Sequence, residues 1–592
     1  MATNADHLVR ALQVSGVERI HGLPGDSLNG LTDAVRRADG MAWAQVRHEE
    51  TAAFAAGAEA ALTGGLAACA GSCGPGNLHL INGLFDAQRS RVPVLAIAAH
   101  IPHAEIGSSY FQETHPERLF TECSVYCELV SEPSQLPHVL RRAMRAAVEQ
   151  RGVAVVVVPG EILLAKVDDD APDPRPVVAT RSHVVPHADD LAAAAAILDA
   201  GEKVTILAGA GCAGAHAELL DIAGRLQAPI VHALRGAEHI AYDNPYDVGL
   251  TGLLGISSAA EAMSEADVLL VLGSDLPYRE FYPAGARVVQ LDLRGEVLGR
   301  RVDVELGLVG SVADTVPALL PLLRVRRPEL GTHLAEAQRS FRSARASLDA
   351  LADDDASPIR PERTTRALDR LAADDAVFTT DVGSPVVWAA RYLTMNGRRR
   401  LLGSFWHGSM AGAVPQAIGA ASVDPTRQVV ALAGDGGLTM LLGELYTLVQ
   451  SRLPVTVVVY NNASYNFVEL EMKAAGVVTF GTDLENTDLA AVATAMGLFA
   501  RHVDDPADLD GALADALAHD GPALVDVRTA RQVLAVPPTI TASQVTGFAL
   551  YGIRSVLAGQ GSELVDVVRT NVVRRVLHHL PGRSKDREAD EG

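Results

Sequence analysis

The chain has 592 residues, of which 48% are hydrophobic, 21% are charged and 4% are aromatic, and its formal net charge is −22. This composition is typical of a soluble globular protein, and at roughly 150 residues per domain the length predicts three or four domains. The negative charge repels phosphate backbones and therefore argues against nucleic acid as a partner.

Neither the cysteines nor the N-terminus indicates secretion. An odd number of cysteines in a long chain does not suit a disulfide scaffold, and their two C-x3-C pairs favour reduced, packed thiols over the alternative of a metal site. The first residues lack a basic stretch followed by an apolar core, and no apolar run reaches the ~18 residues that a membrane span needs. We therefore expect a cytoplasmic protein. The cysteines are Cys69, Cys73, Cys123, Cys127 and Cys212.

The first segment, residues 1–180, alternates short apolar runs with helical patterns. Residues 92–99 and 153–159 are apolar on both faces, which predicts buried strands of a parallel sheet. Residues 50–62 are rich in alanine and predict a helix, and the charged, proline-rich residues 168–181 predict a linker.

Two further segments, 181–340 and 341–530, repeat this alternation, and a tail of different character follows at 531–592. We therefore predict an α/β protein with three doubly wound parallel-sheet domains and a C-terminal tail. The apolar runs that predict strands in these two segments are 204–208, 268–273, 288–293, 429–433 and 455–460.

The strongest functional signal is Gly434-Asp435-Gly436 followed by Asn461-Asn462, each directly after a predicted strand. The carboxyl ends of parallel strands are where α/β sheets bind ligands, and glycines let the backbone approach a phosphate closely. We expect a helix after Gly437, whose N-terminus favours negative charge. Asp435 and Asn462 offer the hard oxygen ligands that Mg2+ requires. The alternative is two unrelated turns at strand ends.

This pattern resembles the cofactor motif of the thiamin diphosphate (ThDP) enzyme family. The resemblance implies that Gly436 and Gly437 contact the ThDP diphosphate. It also implies that Mg2+ is bound by Asp435, Asn462 and the backbone carbonyl of Ser464. The domains then become a pyrimidine-binding domain at 1–180, an FAD-binding domain at 181–340 and a diphosphate- and Mg2+-binding domain at 341–530.

Arg47-His48-Glu49-Glu50 is similar to the family's glutamate motif and places the catalytic carboxylate at Glu49. The resemblance implies that Glu49 hydrogen-bonds the aminopyrimidine of ThDP and favours its imino form. The alternative is that the two glutamates only stabilise the N-terminus of a helix, where negative charge is favourable. The same resemblance assigns cofactor contacts to two glycine-containing loops, through Gly74 and Asn77 in the first and Gly408, Ser409 and Met410 in the second.

Within the family, four stretches resemble the pyruvate oxidases that pass electrons to a membrane quinone: residues 25–31, 70–86, 109–120 and 403–420. The resemblance implies oxidation of pyruvate and water to acetate and CO2, with two electrons passed through FAD to the quinone. It places Phe111 and Gln112 on the substrate side, where the alternative is ordinary loop packing. An acetolactate synthase-like carboligase and a phosphate- and O2-dependent pyruvate oxidase remain alternatives.

The middle segment contains a glycine-rich turn, 209–214, after a predicted strand, which suits a dinucleotide phosphate but is weak evidence alone. By resemblance the FAD contacts are Thr251, Gly252, Leu253, Leu254, Asp275, Leu276, Pro277, Tyr278, Arg279 and Asp292. The alternative is a domain that has kept the fold without the cofactor.

Two positions depart from the oxidase pattern. Tyr465-Asn466 stands where a small aliphatic residue and a glycine are expected, and Trp406 stands where a polar residue is expected. The loop with Tyr465-Asn466 borders the expected ThDP pocket, so the preference for pyruvate over another 2-keto acid is open.

The tail contains helical periodicity at 563–580, with apolar residues four apart from Leu564 to Leu580 and basic charge at Arg569, Arg574 and Arg575. Such a helix suits an anionic membrane surface, and the alternative is a helix packed on this protein or on another subunit. The resemblance implies lipid binding by this tail, attachment to the inner face of the cell membrane and a homo-oligomer. A dimer is the minimum and a tetramer is expected.

Overall fold

The structure is a computed structural model that describes residues 2–167, 172–180, 182–327, 331–353, 355–531, 533 and 550–551. It contains three six-stranded sheets, and every pair of neighbouring strands in them is parallel. Helices cover both faces of each sheet, which confirms the predicted α/β fold class.

The first sheet has the strand order β2-β1-β3-β4-β6-β5. The predicted strand at 153–159 is confirmed to the residue. It is buried along its whole length, which explains why its sequence is apolar on both faces. The strands are β1 (Arg19–Gly22), β2 (Ala42–Gln45), β3 (Ala67–Gly71), β4 (Val94–His100), β5 (Tyr126–Leu129) and β6 (Val153–Pro159). The helices are α1 (Asn4–Val14), α2 (Asn29–Arg37), α3 (Glu49–Thr63), α4 (Pro75–Ser90), α5 (Pro116–Leu119), α6 (Leu136–Gln150) and α7 (Gly160–Leu164).

The second sheet has the order β12-β11-β10-β7-β8-β9. Its strands are β7 (Val204–Ala208), β8 (Ile230–His232), β9 (Asp247–Leu250), β10 (Val268–Leu272), β11 (Arg287–Asp292) and β12 (Leu306–Val309). Its helices are α8 (Ala188–Ala200), α9 (His216–Leu226), α10 (Ala237–Ile240), α11 (Ser257–Ser264) and α12 (Val312–Leu319).

The third sheet has the order β14-β13-β15-β16-β18-β17. Its strands are β13 (Val377–Thr380), β14 (Arg400–Gly403), β15 (Val429–Gly434), β16 (Val455–Asn461), β17 (Phe499–Val503) and β18 (Ala523–Arg528). The helices from the preceding connection onward are α13 (Thr332–Ala352), α14 (Pro361–Leu371), α15 (Ser384–Tyr392), α16 (Ala413–Val423), α17 (Asp435–Met440), α18 (Glu444–Gln450), α19 (Asn466–Ala474), α20 (Leu489–Met496) and α21 (Leu509–Leu517).

The first and third domains are joined by a close crossing of helices α3 and α16. A side-chain carbon on Gly419 would lie 2.2 Å from the backbone oxygen of Ala55, so only glycine allows this approach. Ala55 belongs to a buried apolar cluster with residues of α16, which include Ala417 and Ala421. The core is therefore continuous across the boundary between these two domains.

The predicted amphipathic helix at 563–580 lies outside the described residues. Among the helices that are described, none is both long and apolar enough to cross a membrane.

Candidate cofactor and active site

The two halves of the predicted metal motif meet at one edge of the third sheet, because β15 and β16 are neighbours. The Asp435 carboxylate accepts hydrogen bonds from the backbone N–H groups of Asn462 at 3.1 Å and Ala463 at 2.7 Å. Its other oxygen accepts from the N–H of Gly436 at 2.8 Å. Burial raises the pKa of Asp435, and these N–H donors oppose the rise. A buried carboxylate whose described partners are all neutral fits a divalent cation, which would offset its charge.

Asn462 and Ser464 are held in a tight turn beside Asp435. The side-chain oxygen of Asn462 accepts the N–H of Ser464 at 3.0 Å, and the Ser464 hydroxyl donates to Glu469 at 2.6 Å. The bond to Glu469 holds the Ser464 hydroxyl, and the metal role implied by the resemblance belongs to the Ser464 carbonyl. The structure thus brings the three expected ligand residues together.

The expected helix start after Gly437 is wrong: helix α17 begins at Asp435, with Gly434 as its N-cap. Gly436 and Gly437 therefore lie in the first helical turn, and neighbouring side chains explain their small size. A side-chain carbon on Gly437 would lie 2.2 Å from the carboxylate of Asp381, and one on Gly436 would lie 2.5 Å from the ring of Tyr465. Both glycines are required by protein packing before any phosphate is considered.

Asp381 is a site residue that sequence reasoning missed. It follows β13, the other neighbour of β15, and it accepts the backbone N–H groups of Ala413 at 2.9 Å and Gly434 at 3.1 Å. Burial raises the pKa of this carboxyl to about 6. The signal in the sequence was an acidic residue at the end of a third apolar strand, but its relevance depends on the strand order.

Glu49 is the first residue of helix α3 and is only 5% exposed. Its carboxylate lies 2.9 Å from Nδ1 of His79 on α4, and the His79 ring stacks on that of His48. Glu50 is held differently, because it accepts from the Asn82 amide at 2.6 Å. The two adjacent glutamates therefore face different partners. His79 was not identified from the sequence, since its contact depends on the packing of α3 on α4.

The third domain holds the chain just before Glu49. The carboxylate of Glu444, in α18, accepts the backbone N–H groups of Arg47 and His48, both at 3.0 Å. Glu444 is 1% exposed, its second oxygen accepts the Thr447 hydroxyl at 2.6 Å, and burial raises its pKa. A carboxylate from one domain thus fixes the entry of the helix that begins with Glu49. This contact spans nearly 400 residues of sequence and was not predicted.

The loop after β3 lies between Glu49 and the expected substrate-side residues. A side-chain carbon on Gly76 would lie 3.0 Å from the Glu49 carboxylate, and one on Gly74 would lie 2.8 Å from Gln112. The Gln112 side-chain oxygen is 3.2 Å from the sulfur of Cys73, whereas Phe111 is 78% exposed. The structure therefore brings Gly74 and Gln112 together and leaves the Phe111 ring at the surface of the chain.

Asn77 occupies the interior rather than the surface of this loop. It is fully buried, and its amide donates to the backbone oxygen of Ala99 at 2.7 Å. This hydrogen bond fixes the loop to the end of β4.

The second glycine loop is fixed to the first domain. The Ser409 hydroxyl accepts from the Asn82 amide at 2.9 Å, and Gly408 is exposed with φ of 82°. Met410 follows and is partly buried. In the described part of the chain no hydrogen bond joins Glu49 to the Asp435 edge.

The expected FAD contacts gather at the carboxyl ends of β9, β10 and β11. The buried Thr251 hydroxyl has no hydrogen-bond partner among the described residues, and Gly252 has φ of 88° beside Leu276 and Tyr278. Asp275 pairs with the guanidinium groups of Arg300 and Arg301, each at 3.1 Å. A buried hydroxyl without a partner fits a ligand that supplies one.

The remaining expected contacts occupy the same region. Burial raises the pKa of Asp292 to about 6, the charge of Arg91 opposes this, and Asp292 accepts the backbone N–H of Arg294 at 3.0 Å. Leu254 contacts the third domain, because its carbonyl accepts a hydrogen bond from the Arg391 guanidinium at 3.0 Å. Leu253 and Pro277 lie in the loops beside these residues, and the Arg279 guanidinium donates to the Arg300 carbonyl at 3.3 Å.

The glycine-rich turn at 209–214 packs against the chain rather than standing open. The Gly211 N–H donates to the Gly273 carbonyl at 2.9 Å. Side-chain carbons on Gly209 or Gly211 would lie 2.5–2.6 Å from Gly273. These glycines allow the loops after β7 and β10 to touch.

Comparisons with known proteins agree with this arrangement. Three models of the thiamine pyrophosphate enzymes match the chain: the N-terminal TPP binding domain at residues 2–119, the central domain at 191–319 and the C-terminal TPP binding domain at 381–527. An uncharacterized 42.6 kDa protein of Pseudomonas amyloderamosa is 58% identical over 60% of this chain and 89% of its own length.

Three further relatives cover most of the chain. A putative thiamine pyrophosphate-containing protein of Bacillus subtilis, YdaP, is 34% identical over 95% of this chain and 97% of its own length. The pyruvate oxidase of Lactiplantibacillus plantarum is 31% identical over 88% of this chain and 87% of its own length. Acetolactate synthase isozyme 1 large subunit of Escherichia coli is 27% identical over 89% of this chain and 94% of its own length.

Proposed function

Because the chain belongs to the thiamine pyrophosphate enzyme family, we propose that it oxidises pyruvate and water to acetate and CO2, with two electrons passed through FAD to a membrane quinone. The reaction balances, since the quinone takes up two electrons and two protons and the water oxygen enters acetate. ThDP supplies the carbanion chemistry of decarboxylation when bound. Its Mg2+ would be held by Asp435, Asn462 and the Ser464 carbonyl.

One observation carries the proposal of a small 2-keto acid such as pyruvate as the substrate. The loop at 71–77 touches Glu49 through Gly76 and Gln112 through Gly74, so the proton-transfer carboxylate and the substrate-side amide share one wall. In this proposal Glu49 holds and releases the proton of the aminopyrimidine. Gln112 donates a hydrogen bond to the small acid, and the exposed ring of Phe111 becomes a wall of the pocket when another subunit covers it. Positioning of this kind contributes as much to rate as the acid–base step itself.

The proposed FAD site uses the unpartnered Thr251 hydroxyl and the carboxyl edge of the central sheet. The similarity to the pyruvate oxidase of Lactiplantibacillus plantarum extends over this domain and supports an oxidase. The acetolactate synthases cover the chain almost as fully, so a ThDP carboligase is the second candidate. A phosphate- and O2-dependent oxidase that forms acetyl phosphate is the third.

The deciding experiment follows the visible absorbance of the flavin when purified protein is mixed anaerobically with ThDP, Mg2+ and pyruvate. The oxidase proposal expects bleaching without added reductant and return of the colour on adding a quinone. Glu49→Gln is the matched control, which should bleach with dithionite but not with pyruvate. Acetolactate and CO2 with an oxidised flavin would replace this proposal by the carboligase. Acetyl phosphate formed only with phosphate and O2 would favour the third candidate.

We further propose that residues 563–580 bind an anionic lipid surface, which would place the enzyme at the inner face of the cell membrane as a homotetramer. The periodic apolar residues and the three arginines of this segment support the proposal. Deletion of residues 561–592 should abolish co-sedimentation with anionic liposomes, and replacing Arg569, Arg574 and Arg575 by glutamine should weaken it. Undiminished co-sedimentation of the truncated protein would refute the tail's role.

A further inference from the structure

Three loops form the carboxyl edge of the third sheet at the proposed ThDP–Mg2+ site. They follow the neighbouring strands β13, β15 and β16 and contain Asp381, Asp435 and Asn462 respectively, and the middle one is the turn with which α17 begins. A diphosphate and its metal would contact such loops together, so the spacing of the loops decides how well the cofactor fits. Loops that are already held at the bound spacing bind more tightly, because less conformational entropy is lost on binding.

Tyr465 covers the middle loop. Its ring lies so close to Gly436 that a side-chain carbon there would be 2.5 Å from one ring atom and 2.9 Å from the next. The backbone of this segment is fixed as well. Tyr465 N–H donates to the Thr482 carbonyl at 2.8 Å, and Leu484 N–H donates to the Ala463 carbonyl at 3.0 Å. The ring is therefore presented from a paired backbone and not from a free loop.

Asn466 joins the outer two loops. Its side-chain oxygen accepts the hydroxyl of Ser384 at 3.0 Å, and Ser384 directly follows Gly383, whose φ is 141°. Its amide donates to the Arg531 carbonyl at 2.5 Å. One asparagine thus connects the loop after β13 to the loop after β16 and to the end of the third domain.

We propose that Tyr465 and Asn466 form a clamp that holds these three loops at the spacing required by ThDP and Mg2+. The Tyr465 ring packs on the middle loop at Gly436, and the Asn466 side chain joins the outer two loops by its hydrogen bond with Ser384. Both are positioning residues, because they act through the loops that bear Asp381, Asp435 and Asn462. The clamp lowers the dissociation constant of the cofactor and slows its release. It rests on the proposed ThDP–Mg2+ site but not on the identity of the substrate or of the electron acceptor.

The test measures ThDP binding to cofactor-free protein at saturating Mg2+ by calorimetry, together with the rate of ThDP release after dilution into chelator. Ser384→Ala should weaken ThDP binding by about fivefold to tenfold, the effect of one lost hydrogen bond, and Asn466→Ala, which also loses the bond to the Arg531 carbonyl, should weaken it at least as much. The double variant should bind ThDP hardly more weakly than Asn466→Ala alone, because that substitution already removes the link to Ser384. Tyr465→Leu should also speed release by about tenfold.

Asn486→Ala is the matched control, since Asn486 is exposed in the segment after Leu484 and should bind ThDP as the wild type does. The melting temperature of the cofactor-free variants shows whether weaker ThDP binding comes from a general loss of stability. Ser384→Ala should lower the melting temperature least, because it removes only one hydroxyl group. Unchanged ThDP affinity in both Ser384→Ala and Tyr465→Leu, or additive losses in the double variant, would overturn the clamp. Wild-type protein that fails to bind ThDP with Mg2+ would instead overturn the proposed function.

Discussion

Replacing Glu444 tests how the third domain positions the helix that begins with Glu49. Glu444→Ala removes the acceptor for the N–H groups of Arg47 and His48 and for the Thr447 hydroxyl. Leaving two partly buried N–H groups without an acceptor costs about 1–3 kcal/mol each, and removing a buried carboxylate recovers part of that cost. We therefore expect a net loss of about 3 kcal/mol in the free energy of unfolding.

Glu444→Gln should lose only about 1 kcal/mol, because its amide oxygen still accepts the two N–H groups. Urea unfolding gives these values as shifts in the midpoint at constant slope. Gln450→Ala is the matched control on the same helix. Gln450 meets the half-buried Arg47 side chain through an exposed hydrogen bond, and its loss should change stability by less than about 0.5 kcal/mol.

Activity should follow the same order as stability. A displaced α3 moves Glu49, and a misplacement of about 1 Å costs on the order of 100-fold in rate. The kcat for CO2 release should therefore fall in Glu444→Ala and hardly change in Glu444→Gln and Gln450→Ala. Equal stability and kcat for Glu444→Ala and Gln450→Ala would refute the idea that this carboxylate fixes the helix.

Three other substitutions have expected outcomes. Glu49→Gln should slow CO2 release by at least about 100-fold while calorimetry finds ThDP affinity within a few-fold, and retained activity would exclude this residue as the acid–base group. Gly437→Ala places a carbon 2.2 Å from the buried Asp381 carboxylate and should lower stability by about 2–3 kcal/mol, whereas Gly511→Ala, with nothing within 4 Å, should not. Burial raises the pKa of Asp86 from 3.8 to about 6, so the folded state holds its proton longer than the unfolded state and stability falls as pH rises from about 4 to about 6. Asp86→Asn should therefore exceed the wild type by on the order of 3 kcal/mol in urea unfolding at pH 7 and match it at pH 4, and a constant difference between these pH values would contradict this origin.

The sequence predicted those features that depend on local pattern. The run at 153–159 is buried on both faces, so its apolar residues alone indicate a central parallel strand. The meeting of Asp435 and Asn462 was likewise predictable, because loops after parallel strands gather at one edge. The start of α17 was not, because two glycines usually indicate a loop, whereas here Asp381 and Tyr465 fill the space beside them.

The residues that were missed share one property: their roles depend on contacts between distant parts of the chain. Asp381 matters because β13 lies beside β15, and His79 matters because α4 packs on α3. Glu444 reaches across a domain boundary to the backbone at 47–48. Such partners are decided by tertiary packing, and no spacing along the sequence signals them.

The glycine crossing between α3 and α16 has a consequence for how the molecule behaves when its covalent connection is broken. The first and third domains adhere directly through Gly419 and Ala55, so the peptide linkage through the central domain is not what keeps them together. After protease cleavage within residues 172–180, the two fragments should elute together in size-exclusion chromatography until denaturant separates them. Equally, the two parts expressed as separate polypeptides should associate without a covalent link.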